Sequence, residues 1–141
     1  MQRVTSASVE VAGEVVGVIG PGLCVLVGVT HSDDAAAADH LADKLWQLRV
    51  FEDDEGRMNR SASDLDRELL IVSQFTLYGD TTKGRRPSFL AAAPPEQAEQ
   101  LIESLVAGLQ RRGARVATGR FRAKMALSLT NDGPVTILVE V

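Results

Sequence analysis

The sequence predicts an α+β fold, in which a mainly antiparallel β-sheet curls into a barrel-like shape and packs with two long helices. Strand-like patterns dominate both ends of the chain, and two longer segments repeat apolar residues at helical spacing. Aromatic residues make up only 4% of the chain, so the core must rest on branched aliphatics, which favour β-structure. A chain of 141 residues suits one well-packed domain, and we expect residues 1–141 to form it.

Residues 1–30 are typical of strands joined by tight turns. Side chains alternate over residues 4–9, Gly13 marks a turn, and residues 14–19 form the next apolar strand. Gly20-Pro21-Gly22 provides a second turn before a buried strand over residues 23–30. Because these connections are short, we expect the strands they join to pair antiparallel.

The pattern then changes to helical spacing. Ser32 can cap a helix, and Asp33 and Asp34 would add negative charge to its first turn, where the helix dipole favours it. Three leucines repeat at helical spacing, namely Leu41, Leu45 and Leu48. The spacing predicts a first long helix that ends near Val50.

A polar segment separates this helix from the next predicted elements. Residues 51–66 are rich in turn-forming residues, with a tight turn at 53–56, and residues 68–75 predict a buried strand. Pro94-Pro95 then opens a second long helix, because proline suits a first helical turn. The core stripe of this helix is Ala98, Leu101, Leu105 and Leu109. Gly113 ends the helix.

Three more strands are predicted towards the end of the chain, near residues 115–118, 124–130 and 135–141. Between the last two, Asn131-Asp132-Gly133-Pro134 has the composition of a turn. The Gly133-Pro134 bond is a candidate cis peptide, but only about 5–6% of such bonds are cis in folded proteins. The residues themselves therefore predict a plain turn.

Charge is distributed unevenly along the chain. The net charge is −4, yet residues 83–124 contain nine basic and three acidic side chains. A basic segment on an acidic body suits local contact with phosphates, and a solvated helix end followed by a turn would have the same composition. Within this segment, the loop at residues 81–89 is polar and basic.

The sequence also leads us to expect that several features are absent, including a membrane span, a metal site and a cofactor site. The longest apolar run, residues 23–27, is too short for a membrane span, and we expect no secretory leader and a cytoplasmic location. Cys24 is the single cysteine, which predicts a buried structural thiol in a reducing compartment. His31 and His40 lack ligand-like spacing, and nucleotide-binding glycine motifs are absent, so we expect neither metal nor cofactor.

Two polar clusters stand where ordinary strand ends or turns are expected. Ser73-Gln74-Phe75-Thr76 closes a buried strand, and Thr76 carries the hydroxyl that a nucleophile needs. The second cluster is Asn131-Asp132-Gly133-Pro134-Val135-Thr136. These side chains can line a pocket, or they can simply bond to the nearby backbone, and the residue pattern leaves both roles open.

Taken together, these segments resemble the D-aminoacyl-tRNA deacylase family along essentially the whole chain. The two clusters are the decisive motifs, because their joint occurrence at this spacing is highly specific, whereas either alone is weak. The other matching segments are Gln2-Arg3-Val4, Gly13-Glu14-Val15, Gly22-Leu23, Phe51 with Gly56-Arg57-Met58-Asn59, and Arg86-Pro87-Ser88-Phe89.

The resemblance implies a homodimer with active sites at the subunit interface and an aminoacyl-tRNA as substrate, with neither DNA nor membrane as a partner. Ser73-Gln74 of one subunit would meet the Gly133-Pro134 tip of the other. In the family this Gly-Pro bond is cis, and its carbonyls exclude an L side chain while admitting a D side chain or glycine. Arg3 matches a position that holds the tip. Phe121 and Met125 match positions beside the pocket, with core packing as their alternative role.

The implied chemistry is hydrolysis of the ester between the amino acid and the terminal ribose. Gln74, Phe75 and Thr76 would form the catalytic strand end, and the N–H groups around Phe75 and Thr76 would stabilise the oxyanion. Neither motif contains a histidine that could activate Thr76, so water assisted by the ribose 2′-hydroxyl is favoured over a threonine nucleophile.

Three other functions remain open. One is a noncatalytic RNA-binding module that uses residues 83–124. Another is a different small hydrolase with Ser73 or Thr76 as its nucleophile, and the third is a purely structural dimer.

Overall fold

The structure is a computed structural model that describes residues 1–141. It contains two long helices and eight strands, six of which form one sheet. In chain order the elements are β1 (Gln2–Val11), β2 (Glu14–Ile19), β3 (Gly22–Val27), α1 (Ala35–Gln47), β4 (Phe51–Glu52), β5 (Met58–Arg60), β6 (Glu68–Ser73), α2 (Pro95–Arg111), β7 (Val116–Thr118) and β8 (Ala126–Thr136). No helix is both long enough and apolar enough to cross a membrane.

A bent hairpin forms the first half of the sheet. β1 pairs antiparallel with β2, where Ala7 faces Ile19, and with β3, where Val4 faces Gly22. Both ladders follow the same register, so β2 and β3 behave as one long strand that is interrupted at Gly20-Pro21. Proline lacks the N–H that a continuous ladder would require. β8 covers the other edge of β1.

The second half of the sheet is parallel, which the sequence did not predict. β6 pairs with β3, and β7 pairs with β6, in both cases in parallel. The physical reason lies in the connections, because α1 joins β3 to β6 and α2 joins β6 to β7, and parallel neighbours need such long crossovers. The three pairings that β1 makes are antiparallel. The predicted α+β class with a mainly antiparallel, curled sheet and two long helices is confirmed.

The sheet curls far enough for β7 to contact β2, although no ladder joins them. Gly17 of β2 permits this approach, because a Cβ added there would lie 2.4 Å from the carbonyl oxygen of Thr118. Gly22 plays the same role at β6, where an added Cβ would lie 2.0 Å from the carbonyl oxygen of Glu68. At both positions the neighbouring backbone occupies the space of a side chain.

Two apolar clusters cover opposite faces of the central strands. One lies between the sheet and the helices and includes Leu23, Leu45, Leu69, Leu105 and Leu109. The other lies on the opposite face and comprises Val4, Ala7, Val9, Ile19, Cys24, Leu70 and Val72. Because β3 and β6 are buried on both faces, they appear in the sequence as continuous apolar runs. The predicted burial of the Cys24 thiol is confirmed, and this burial raises the pKa of the thiol.

The start of α1 differs from the prediction. Asp34, not Ser32, caps the helix, since its Oδ1 accepts a hydrogen bond from the N–H of Ala37 at 2.9 Å. Asp33 instead accepts a bond from the N–H of Thr30 at 2.8 Å and so orders the turn before the helix. Several neighbouring residues could cap this helix, and the path of the chain after β3 selects one of them.

The end of α1 also differs, whereas α2 agrees with its prediction. α1 ends at Gln47 rather than near Val50, and the carbonyl of Val50 accepts a bond from Arg3 of β1 at 2.6 Å. This tertiary contact replaces the last helical turn. α2 begins at Pro95 and ends at Arg111, before Gly113, which has a φ of 92°.

β8 overturns the predicted turn near the end of the chain. The predicted strands at 124–130 and 135–141 are one strand, which ends at Thr136 and contains the segment 131–134. Gln2 faces Thr136 and Val4 faces Asn131, so the residues between them on β8 lie opposite Arg3 alone. The surplus residues form a bulge, which lets pairing continue on both sides and removes the need for a hairpin. The predicted tight turn at 53–56 is present, and it joins β4 to β5, two short strands that the sequence did not predict.

Replacement of Gly17 by alanine should destabilise the protein. The new methyl group would collide with the backbone of Thr118, and relief of this overlap should cost about 1–3 kcal/mol of unfolding free energy. Urea unfolding of the variant measures this cost. Gly20→Ala is the matched control, because the nearest atom to its added Cβ is 3.6 Å away. Equal stability of the two variants would contradict barrel closure at Gly17.

Candidate functional site

The first candidate motif lies where β6 ends. The N–H of Gln74 donates to the carbonyl of Val27, the last residue of β3, at 2.7 Å. A 3-10 helix then runs from Phe75 to Tyr78, and its first bond joins the N–H of Leu77 to the carbonyl of Gln74. The N–H groups of Phe75 and Thr76 precede that bond and have no partner within the turn. Both residues are exposed, so these amides can reach an external acceptor.

The side chains of this motif form a hydrogen bond with each other. The amide nitrogen of Gln74 donates to the hydroxyl oxygen of Thr76. Neither histidine forms a hydrogen bond with Thr76, since His31 contacts the carbonyl of Leu90 and His40 lies on α1. No imidazole is therefore in place to take a proton from Thr76. The chain also contains no group of three or more His, Cys, Asp or Glu residues that could hold a metal.

An open cavity of about 490 Å³ lies beside the motif, between β6, α2 and the loop after β7. Ser73 and Phe121 both line it, so the structure brings these two predicted residues together. Met125 is the last residue of this loop, and its sulfur would be 2.6 Å from a Cβ added at Gly119. Met125 packs against the apolar cluster that contains Leu70, which is the core-packing role. Its role beside the pocket stays a prediction.

Arg3 is buried, with 4% of its surface exposed, and contacts the second motif. Its Nη1 donates to the carbonyl of Val50 at 2.6 Å, and its Nε donates to the carbonyl of Asp132 at 3.1 Å. Two carboxylates balance its charge, with Nε 3.3 Å from Asp132 Oδ2 and Nη2 3.8 Å from Glu52 Oε1. A buried guanidinium is tolerated when its donors and its charge are both matched in this way.

The Gly133-Pro134 tip projects from the bulge of β8 and is exposed to solvent. The peptide bond between the two residues is cis. Gly133 has a φ of 125°, and a Cβ added there would lie 2.8 Å from Val135 Cγ2 and 3.2 Å from Arg3 Nη2. Glycine is the residue that suits this conformation and this close packing.

A single chain does not bring the two motifs together. In the sheet, Gln2 of β1 lies between Thr136 of β8 and Cys24 of β3, and Cys24 faces Leu70 of β6. Three strand-to-strand steps therefore separate the tip from β6, which is about 14 Å across the sheet. Within one chain, each half of the predicted site is open to solvent.

Sequence reasoning missed the carboxylates of the cavity. Glu99 and Glu103 line it together with Gln110, all from α2. Their spacing placed them on the polar face of a helix, and nothing in the pattern indicated what that face approaches. A smaller cavity of about 250 Å³ was also missed, and Tyr78 is among its lining residues. Burial, followed by the nearby charges of Asp33 and Glu140, raises the pKa of Tyr78.

Comparisons of sequence with known proteins identify the family of this chain. The family described as D-Tyr-tRNA(Tyr) deacylase matches residues 1–140. A D-aminoacyl-tRNA deacylase of Streptomyces coelicolor is 59% identical, and the alignment covers 100% of this chain and 97% of the relative. Another D-aminoacyl-tRNA deacylase, from Symbiobacterium thermophilum, is 58% identical, and the alignment covers 99% of this chain and 93% of the relative.

Solved structures show the same similarity. A protein named c-Myc DNA Unwinding Element Binding Protein superposes with a TM-score of 0.91 at 44% identity, over 99% of this chain and 95% of that one. A probable eukaryotic D-amino acid tRNA deacylase superposes with a TM-score of 0.82 at 18% identity, over 94% of this chain and 92% of that one. At this identity the similarity shows a shared fold. Since the family match spans residues 1–140 and these bacterial relatives share more than half of their residues with it, the chain belongs to the D-aminoacyl-tRNA deacylase family.

Proposed function

We propose that the protein hydrolyses the ester bond of D-aminoacyl-tRNAs to free tRNA and amino acid, acting as a single domain in the cytoplasm. The observation that carries this proposal is membership of the family over almost the whole chain, with both decisive motifs intact. The geometry is compatible with it, since an open cavity lies beside exposed backbone amides at the end of β6.

The complete site requires two copies of the chain. The Gly133-Pro134 tip is exposed, and three strand spacings, about 14 Å across the sheet, separate it from β6 in its own subunit. Phe75 and Leu77 lie in the 3-10 helix after Ser73 and have 57% and 51% of their surface exposed, which is high for apolar residues and suits a subunit contact. In the proposed homodimer, the tip of each subunit reaches the Ser73-Gln74 strand end of its partner.

The tip selects the substrate by steric exclusion of the L side chain. Its backbone is placed against the Cα of the bound amino acid, where it collides with an L side chain and leaves room for a D side chain or for hydrogen. Arg3 supports this filter, because its bond to the carbonyl of Asp132 holds the residue before the tip. Selection by steric exclusion does not require extra affinity for the D form. Glycyl-tRNA, which has no side chain to exclude, is therefore a second substrate.

The chemistry relies on orientation and hydrogen bonds. The N–H groups of Phe75 and Thr76 stabilise the oxyanion that forms when water attacks the ester carbonyl. Gln74 and Thr76, joined by their hydrogen bond, orient the substrate. Since no histidine is bonded to Thr76, we assign activation of water to the 2′-hydroxyl of the terminal ribose.

A second candidate function comes from the solved relative named for binding a DNA element, which is 44% identical to this chain. That name describes the relative. For this chain, a nucleic-acid-binding module without catalysis predicts that tRNA or DNA is retained while the ester stays intact. The two functions are separated by following the ester and the bound nucleic acid in the same sample.

The purified protein should remove D-tyrosine and glycine from tRNA rapidly and spare L-tyrosine. The reason is exclusion of the L side chain by the tip, and the measurement is the loss of labelled aminoacyl ester over time. Equal rates for D-tyrosyl-tRNA and L-tyrosyl-tRNA would leave a hydrolase without the proposed filter. Intact esters with bound tRNA or DNA would favour the nucleic-acid-binding module.

Thr76→Ala should remain active, with a decrease in kcat of no more than about tenfold, because only one orienting hydrogen bond is lost. Removal of a true covalent nucleophile costs a factor on the order of 10⁶. Thr76→Ser serves as the matched variant, because it keeps the hydroxyl. Activity that survives in the serine variant and disappears in the alanine variant would identify Thr76 as the nucleophile and refute activation by the ribose.

Arg3→Lys should weaken chiral discrimination more than the rate on glycyl-tRNA. Lysine keeps the charge but lacks the planar fork that joins Val50 to Asp132, so the tip would lose its fixed position. The ratio of the D-tyrosyl to the L-tyrosyl rate measures discrimination, and thermal unfolding reports the accompanying loss of stability. A folded variant with lower stability and an unchanged ratio would limit Arg3 to a structural role.

A further inference from the structure

Most of the cations that lack an ion pair lie in two loops. Of the 15 Lys and Arg side chains, six form ion pairs with a carboxylate, namely Arg3, Arg57, Arg60, Arg111, Arg112 and Arg115. Of the other nine, six are exposed in two segments, namely Lys83, Arg85, Arg86, Arg120, Arg122 and Lys124. We call residues 79–88 the first basic loop and residues 119–125 the second basic loop.

Both basic loops lie near the end of β6. The first basic loop follows the 3-10 helix, and paired backbone bonds of 2.8 Å between Asp80 and Ser88 close its base. Phe89, directly after the loop, packs edge-on against Phe75 with 5.0 Å between ring centroids. The second basic loop follows β7, and the N–H of Gly119 donates to the carbonyl of Ile71 on β6 at 3.1 Å. These contacts place both loops beside the candidate site.

The charge of the loops opposes that of the rest of the chain. The first basic loop has three cations and one anion, and the second has three cations, which together amount to +5. Because the whole chain carries −4, the remaining residues carry −9. The one carboxylate, Asp80, accepts a bond from the N–H of Thr82 at 2.9 Å and is in no ion pair with the loop cations. The positive charge is therefore concentrated and uncompensated within the loops.

The cavity that the second basic loop lines has the opposite charge character. Glu99 and Glu103 line it, whereas Arg120 is its only cationic lining residue. A polyanion would be repelled by these carboxylates and attracted by the cations of the two loops. The arrangement suits a ligand that inserts one small end into the cavity and leaves its phosphates on the rim.

We propose that the two basic loops, which both lie near the end of β6, bind the phosphates of the tRNA acceptor end. This inference rests on the proposed function, since it names the surface that the substrate uses to reach the site. The loops act through charge, while the residues at the end of β6 act on the ester.

Two loop variants and one control test the proposal. Lys83→Gln/Arg85→Gln/Arg86→Gln removes the charge of the first basic loop, and Arg122→Gln/Lys124→Gln reduces that of the second. Lys44→Gln/Arg111→Gln/Arg115→Gln removes three exposed charges elsewhere on the surface and is the matched control. Each variant is assayed on D-tyrosyl-tRNA and on D-tyrosyl-adenosine, which has the same ester and no phosphates.

Each loop variant should raise KM for D-tyrosyl-tRNA about tenfold or more, with little change in kcat. Its rates on D-tyrosyl-adenosine should equal those of the unchanged protein. The slope of log KM against log salt concentration should also fall by about 0.7–0.9 for each phosphate contact that is lost. The control should shift none of these quantities by a comparable amount.

Unchanged KM for tRNA in both loop variants would overturn the proposal. So would an equal rise in KM in the control, because the effect would then belong to the overall charge of the protein. Binding of uncharged tRNA, followed by fluorescence titration, tests the loops even if no ester is hydrolysed and the proposed function fails. Loss of duplex DNA binding with tRNA binding retained would assign the surface to DNA and also overturn the proposal.

Discussion

The buried guanidinium of Arg3 connects three parts of the chain that are distant in sequence. It lies on β1 and donates hydrogen bonds to the carbonyl of Val50, after α1, and to the carbonyl of Asp132, in the bulge of β8. An arginine with almost no exposed surface is stable only while these acceptors and its two carboxylate partners stay in place. The position of the Gly133-Pro134 tip therefore depends on the same contacts that end α1 and shape β8.

The mixed topology of the sheet places the other half of the candidate site. β3, β6 and β7 are parallel, so their carboxyl ends, at Val27, Ser73 and Thr118, lie along one edge. Ligands of parallel sheets commonly bind at this edge, because the connecting segments that leave it are free to form a pocket. Here those segments are the 3-10 helix with the first basic loop after β6, and the second basic loop after β7. Because β6 and β7 are neighbours, both segments leave the same edge of the sheet.

The proposed function divides recognition among three parts of one small protein. In that proposal, the carboxyl edge of the parallel strands offers backbone amides and a cavity to the ester, and the two basic loops offer charge to phosphates. The Gly133-Pro134 tip, three strand spacings or about 14 Å away across the sheet, would add shape selection from a second copy. Each part would use a different physical property, namely hydrogen bonding at the ester, charge at the phosphates and shape at the Cα of the amino acid.

The fold class, the two long helices and the motifs that identify the family can all be predicted from the sequence. These features depend on local periods, on proline and glycine at helix ends, and on short residue patterns along the chain. The folded chain was needed to show that β6 pairs in parallel, that Asp34 caps α1, and that the segment 131–134 is a bulge instead of a hairpin turn. Each of these depends on a partner far away in the sequence, such as Arg3 opposite the bulge, and a local pattern carries no information about such partners.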